Sequence, residues 1–318
     1  MLALRLRPHV PSPPGCDPHV SPPSANRRGM IALAVGMAAF SANDTCLKLV
    51  ATRYPLGEVI VLRGLVTIVL VGAVLIGLGH FTALRAVRNP QVLGRTLLDG
   101  AAMLMFTSAL VHMRIADLSA INLASPLIIT ALAVIVHREQ VGWRRWSAIA
   151  VGFVGVLFVV KPTPSAFDVW ALVGLGCAFA GASRDLMTRS VDPAIPAIVI
   201  SFMAAVGATI VGLVLGLWEV WRPMAPADLG IVAISGVFLA IGNLLIVIAF
   251  RAGEVAVVAP FRYTLLIWAA IGGYLAFGEV PDGWAVLGAA LIVGSGLYAL
   301  HREVVRRRAL AAPLRPAE

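Results

Sequence analysis

The chain has 318 residues, 59% of them hydrophobic and 13% charged, with a net charge of +9 and a mean hydropathy of +0.91. A soluble domain carries about 25% charged residues, so this composition excludes a water-soluble fold and demands an integral membrane protein. The basic excess lies in short breaks between apolar runs and in the terminal HREVVRRR, the placement of topology and lipid-headgroup signals, not of a nucleic-acid surface.

Residues 1–29 hold seven of the twenty prolines and no apolar run. They read as a disordered tail, with Met30 after Arg27-Arg28-Gly29 as an alternative start. Ten apolar stretches follow, at 30–50, 57–79, 92–113, 117–136, 144–161, 168–188, 196–218, 228–250, 254–277 and 283–300. Each is near the ~20 residues a helix needs to cross the hydrocarbon, and none alternates as a barrel strand does. The fold class expected is all-α, with ten transmembrane helices and a basic tail over 302–318. Cys46 and Cys177 lie in apolar runs and Cys16 in the tail, without CxxC or Cys/His ligand spacing. No disulfide framework, metal or cofactor is expected.

Basic residues orient the chain. With a cytoplasmic N-terminus, the inner segments hold Arg27, Arg28, Arg85, Arg88, Arg95, Arg138, Arg144, Arg145, Arg189, Arg251 and the C-terminal arginines. The outer segments then hold only Arg53, Arg114, Lys161 and Arg222, so both termini are expected in the cytoplasm. Tryptophans 143, 146, 170, 218, 221 and 284 fall at helix ends, and Trp268 alone sits mid-helix.

One pattern occurs twice. RIAD at 114–117 precedes an apolar run with Pro126 and then Glu139, Trp143 and Trp146; RAGE at 251–254 precedes a run with Pro260 and then Glu279 and Trp284. A fainter echo joins Asn43-Asp44 and Lys48 to Arg184-Asp185 and Arg189. The matches fall in spans four and nine and in one and six, so each half has five helices. An odd number inverts the second half, giving a 5+5 inverted repeat with a substrate site between the halves.

The stretch 242–284, GNLLIVIAFRAGEVAVVAPFRYTLLIWAAIGGYLAFGEVPDGW, resembles the second EamA repeat of the drug/metabolite transporter superfamily. Residues 113–146 resemble the first, and the resemblance covers about 30–300, split into repeats at 30–165 and 166–301. RDLMTR at 184–189 and PFRY at 260–263 are similar to the bacterial branch of S-adenosylmethionine-type uptake carriers. The resemblance implies alternating access in a bacterial inner membrane.

Arg262 lies eight residues past Glu254, about 12 Å into the ninth helix, too deep for simple snorkelling to the interface. Pro260 frees backbone carbonyls there, and Tyr263 and Trp268 add polar-tipped aromatic surface. Arg262 and Tyr263 are therefore the expected substrate-contact pair. Asp44 and Lys48 share a face of the first helix and can pair with each other. Arg63 is a further contact or a bridge to Asp44, and Asn122 and Asn243 are uncharged candidates. Asp99, Arg184 and Asp185 read as a gate or coupling network, and Glu139 and Glu279 as structural anchors. Gly152, Gly155, Gly288, Gly294 and Gly296 read as close-packing positions.

No P-loop, HExxH or GxSxG occurs, so neither ATP hydrolysis nor an enzyme is expected. The function expected is secondary transport of a small organic metabolite bearing a carboxylate, an amino acid or derivative. Efflux of cationic drugs or other metabolites is the alternative within that class; a lipid-modifying membrane enzyme or a channel is the alternative outside it. Partners are the small-molecule substrate and membrane lipids, with monomer and homodimer both open.

Overall fold

The structure, a computed structural model, describes residues 23–80, 89–137, 143–160, 169–188, 191–192 and 194–311. All of its regular structure is helical among these residues. Helices α1 (Pro23–Ala51), α2 (Leu56–Gly77) and α3 (Pro90–His112) are followed by the pair α4 (Ile115–Asn122) and α5 (Ser125–His137), then α6 (Trp143–Val160). The second half repeats the plan. It consists of α7 (Val169–Thr188), α8 (Ala197–Gly216), α9 (Pro226–Ala252), the short α10 (Val255–Val258), a 3-10 turn over Ala259–Tyr263, α11 (Thr264–Phe277) and α12 (Gly283–Ala311).

These are ten passages through the bundle, two of them broken. The fourth is split between α4 and α5, and the ninth is interrupted by the 3-10 turn. Each break lies beside a proline, Pro126 or Pro260, because proline removes a backbone donor and clashes with the preceding turn. Other ends follow local rules. Asn89 accepts a hydrogen bond from the Gln91 N–H at 2.9 Å ahead of Pro90 in the first turn of α3. Gly278 ends α11 in the left-handed region at φ 67°, and the Glu279 N–H closes the turn on Gly273 O at 3.1 Å.

Helix α1 starts at Pro23, seven residues ahead of the expected boundary at Met30. Pro23 is the last proline of the tail and is tolerated in a first helical turn; Asn26 beyond it accepts a hydrogen bond from the Glu254 N–H at 2.8 Å. At the other end α12 runs on to Ala311 rather than stopping at Leu300. HREVVRRRALA contains good helix formers and neither Gly nor Pro.

The neighbour relations carry the inverted repeat. Helix α1 packs along α9, and α3 along α7; α1 touches α11, and α7 touches α4 and α5; α2 touches α9, and α8 touches α3. The α2–α8 and α6–α12 pairs map onto themselves. Exchanging the first five passages for the second five returns the same arrangement, as a pseudo-two-fold axis requires. On α6 and α12 the approach is closest at Gly155 and Gly288, where an added Cβ would meet the other glycine's carbonyl oxygen at 2.7 and 2.5 Å. Gly152 packs on Leu127 and Ser295, whereas Gly294 faces open space and is not a packing position.

The core holds Leu110, Ile115, Leu118, Ile121 and Ile292, all fully buried. Val69, Ile76, Leu97, Ile210, Leu217 and Leu275 point outward and are exposed. A bundle whose outside is as aliphatic as its inside is matched to lipid, not water. Among the described residues six helical runs are long and apolar enough to cross a membrane: 24–51, 56–77, 115–132, 197–216, 226–252 and 283–302. Trp143, Trp170, Trp218 and Trp284 lie at or just beyond helix ends, as an interfacial belt requires.

Candidate functional site

The end of the bundle holding the α1–α2 turn is called upper below, and the end holding the α9–α10 turn lower. Between them, about 10 Å beneath the upper ends of α1 and α2, sits a buried polar cluster. Asn43 and Asp44 come from α1, Arg63 and Thr67 from α2, and Ser235 from α9. Asp44 is 8% exposed and Arg63 5%. Asp44 Oδ1 accepts from Asn43 Nδ2 at 2.9 Å, Asn43 Oδ1 accepts from Ser235 Oγ at 2.8 Å, and Arg63 Nη1 reaches the same oxygen at 3.4 Å. The Asn43 side chain thus bridges the two charged groups, which make no direct ion pair with each other.

This cluster is underfilled. A guanidinium offers five N–H donors, yet among the described residues Arg63 makes only that one long bond, and its Nε has no partner. Burying two opposite charges is costly unless their remaining hydrogen-bonding capacity is met. A buried carboxylate and a guanidinium joined through one asparagine, with free capacity, can meet a ligand carrying both signs of charge.

Above it, Lys48 donates to Met113 O at 2.6 Å and to Glu279 Oε1, and its ammonium lies 5.0 Å from the Phe277 ring centre. Glu279 Oε2 accepts from the Ile115 N–H at 2.9 Å. Lys48 therefore does not pair with Asp44, one turn below it: the Glu279 carboxylate is held back over Gly273 and takes the ammonium instead. Farther out, Arg114 bridges Asp117 at 2.6 Å, Asp282 at 3.2 Å and Val280 O at 3.0 Å. Glu279, expected as a structural anchor, thus holds the Lys48 ammonium and the Ile115 N–H; Glu139 lies outside the described residues.

On the lower side, Arg184 bridges Asp99 on α3 at 2.6 Å and its neighbour Asp185 at 2.8 Å. Arg95 adds a bond to Thr188 at 2.8 Å and lies 3.6 Å from Asp99. The three residues expected to form one network do meet, across α3 and α7. Arg189 lies outside the described residues.

Arg262 and Tyr263 do not converge. Both occupy the 3-10 turn, which turns successive side chains through about 120°. Tyr263 is buried with its hydroxyl against Gly296 of α12, while Arg262 is exposed and makes no ion pair among the described residues. The expected contact pair of Arg262 and Tyr263 is thus divided between an exposed and a buried position on the 3-10 turn.

Trp268 lines an open groove of about 360 Å³ between α1 and α11, with Ser41, Thr45, Cys46 and Gly272. Asn122 ends α4 half-buried; its carbonyl accepts from Ser125 Oγ at 2.5 Å and its Oδ1 lies 4.0 Å from Cys177 Sγ. Asn243 is half-buried on α9. Sequence reasoning missed Asn43 and Ser235 as members of the cluster. Adjacency to Asp44 was the signal for Asn43, and a lone serine in an apolar helix gives none. Among the described residues no group of three or more His, Cys, Asp or Glu is placed to hold a metal ion.

Residues 27–161 and 168–300 each match the model of the EamA-like transporter family. The chain is 25% identical over 275 residues to the S-adenosylmethionine uptake transporter of Rickettsia prowazekii, covering 86% of this chain and 93% of that one. It is 26% identical over 270 residues to the pseudopaline exporter of Pseudomonas aeruginosa, covering 84% and 94%. It is 30% identical over 190 residues to the riboflavin transporter of Vibrio cholerae, covering 59% and 63%. A solved crystal structure shares the fold at a TM-score of 0.58 and 19% identity, covering 89% of this chain and 99% of that one.

Proposed function

The chain belongs to the EamA-like transporter family, and from that premise we propose that it carries a zwitterionic amino-acid derivative of the S-adenosylmethionine type into the cell. It is a small-molecule transporter, not an enzyme, and what remains is which molecule, which way and through which residues. The observation that carries this reading is the buried Asp44–Arg63 pair with its unfilled guanidinium. Arg63 takes the carboxylate, for which its planar fork is suited, and Asp44 takes the ammonium or sulfonium charge. The carboxylate role first assigned to Arg262 thus moves to Arg63. Asn122 and Tyr263 are retained as secondary contacts below the pair, and Asn243 and Trp268 as flanking ones.

Transport proceeds by alternating access, with the network of Asp99, Arg184 and Asp185 closing the lower side. Similarity over most of both chains to an uptake transporter supports import, and the basic residues support a cytoplasmic lower end and cytoplasmic termini in a bacterium. The test is uptake of labelled S-adenosylmethionine by cells expressing the protein, with unlabelled amino acids and nucleosides as competitors. Saturable uptake blocked by zwitterions supports the reading; uptake blocked only by carboxylate-free cations overturns it. Export is the second reading, supported by similarity to an exporter, and net loss of label from preloaded cells would select it.

A further inference from the structure

We propose that Lys48 and Glu279 form the gate lock of the upper mouth, gripping the backbone elbow between α3 and α4. The inference rests on the alternating-access reading and goes beyond it by naming the contact that must break. Lys48 is one helical turn above Asp44 on the same face of α1, so a solute descending from the upper end towards Asp44 and Arg63 has to pass it.

What the pair holds is specific. Helix α3 ends at Met113 in an extended conformation, φ −113° and ψ 160°, leaving the Met113 carbonyl without a helical partner. Ile115 opens α4, so its N–H is one of the orphan donors of a helix start. Both residues are buried, where such groups need partners. Lys48 supplies the donor to Met113 O, and Glu279 supplies the acceptor to Ile115 N. The two side chains neutralise each other between these bonds. Lys48 stands on α1 and Glu279 just past α11; the elbow belongs to the α3–α4 side of the pseudo-two-fold. The clamp therefore ties two symmetry-related groups of helices that alternating access has to part. When it opens, water entering the mouth can solvate all four groups, so the lock can release without stranding a charge. The Arg114–Asp282 bridge lies farther out with its side chains 30% and 41% exposed, where an ion pair adds little.

The experiment uses full-length protein with Cys16, Cys46 and Cys177 replaced by serine and a reporter Thr67→Cys beneath the lock. Membrane-impermeant maleimide is applied to right-side-out and to inside-out vesicles. With the lock intact the reporter labels slowly from the upper side. Glu279→Gln should raise that rate about tenfold, the population shift expected from losing a charge-assisted hydrogen bond, and leave labelling from the other side no faster. Lys48→Gln should act alike, and Arg114→Gln, at the half-exposed outer bridge, should act weakly. Equal labelling in all variants, or acceleration from both sides, overturns the lock. If Glu279→Gln fails to insert, Lys48→Gln and Glu279→Asp give the same decision. No substrate is needed, so failure of the substrate assignment leaves this result standing. The vesicle orientation that shows the acceleration tests the topology separately.

Discussion

Met113 and Gly253 end α3 and α9 in nearly the same backbone geometry, φ −113° and ψ 160° against φ −121° and ψ 164°. Each donates its N–H to a fully buried alanine four residues back, Ala109 or Ala249, at 2.9 and 3.2 Å. They are the same elbow in opposite halves of the repeat. At this φ any residue fits, and the first half uses methionine.

The glycine of the second elbow is therefore required by packing. A Cβ on Gly253 would meet Val258 Cγ2 at 2.6 Å and the Asn26 backbone at 3.3 Å. Gly253→Ala should cost about 1–3 kcal/mol as overpacking, read as a lower midpoint of thermal unfolding in detergent. Met113→Ala instead empties a buried core side chain and should cost about 2–5 kcal/mol; an unchanged midpoint for Gly253→Ala would contradict the packing argument.

Gly155 and Gly288 make a second testable contact. Adding a Cβ at Gly288 brings it to 2.5 Å from a backbone oxygen, which cannot rotate away. Gly288→Val should push α6 and α12 apart and lower stability by roughly 2 kcal/mol or more. Gly294→Val, facing open space one to two turns away, should be nearly silent. Equal effects at the two positions would show that the helices do not meet where Gly155 and Gly288 place them.

The ten passages and their inversion were legible in the sequence because each passage is an apolar run of membrane length and the RIAD and RAGE elbows recur. The helix termini were less so. The proline-rich tail masked the start at Pro23, and the charged end of α12 resembled a tail although it is rich in helix formers. At the site, Asp44 and Arg63 stood out as charges in apolar runs. Their neighbours Asn43 and Ser235 meet across 192 positions of chain, which no local pattern reveals. Arg262 and Tyr263 are adjacent in sequence, but the 3-10 turn next to Pro260 gives them different surroundings, one exposed and one buried, which an apolar run does not announce. Lys48 was matched to the nearest acid in sequence, Asp44, when the nearer one in space was Glu279, just past the end of α11.

Orientation has its own test. Reporter fusions after residues 80 and 302 should give cytoplasmic signals, and a fusion near 222 a periplasmic one, because the basic residues concentrate on the lower side. A periplasmic signal after residue 302 would reverse the bundle and with it the assignment of the Lys48–Glu279 lock to the outer face.

The last prediction separates a substrate-binding role for Asp44 and Arg63 from a structural one. Removing one charge, by Asp44→Asn or Arg63→Gln, leaves its buried partner uncompensated and should cost about 3–5 kcal/mol of stability. The same changes should weaken saturable uptake by about 2–4 kcal/mol, roughly 30- to 1000-fold. Removing both charges relieves the stability loss, since buried opposite charges replaced as a unit cost little. The double variant should therefore unfold near the parent temperature and still fail to transport. Arg262→Gln should leave both measurements close to the parent, since that side chain is exposed and outside the cluster. Thermal unfolding and labelled uptake, measured on the same four variants, read the two effects independently. If the double variant recovers transport along with stability, the pair only holds α1 to α2 and the ligand binds elsewhere. If Arg262→Gln alone abolishes transport, the exposed arginine is the contact after all and the cluster is a structural bridge.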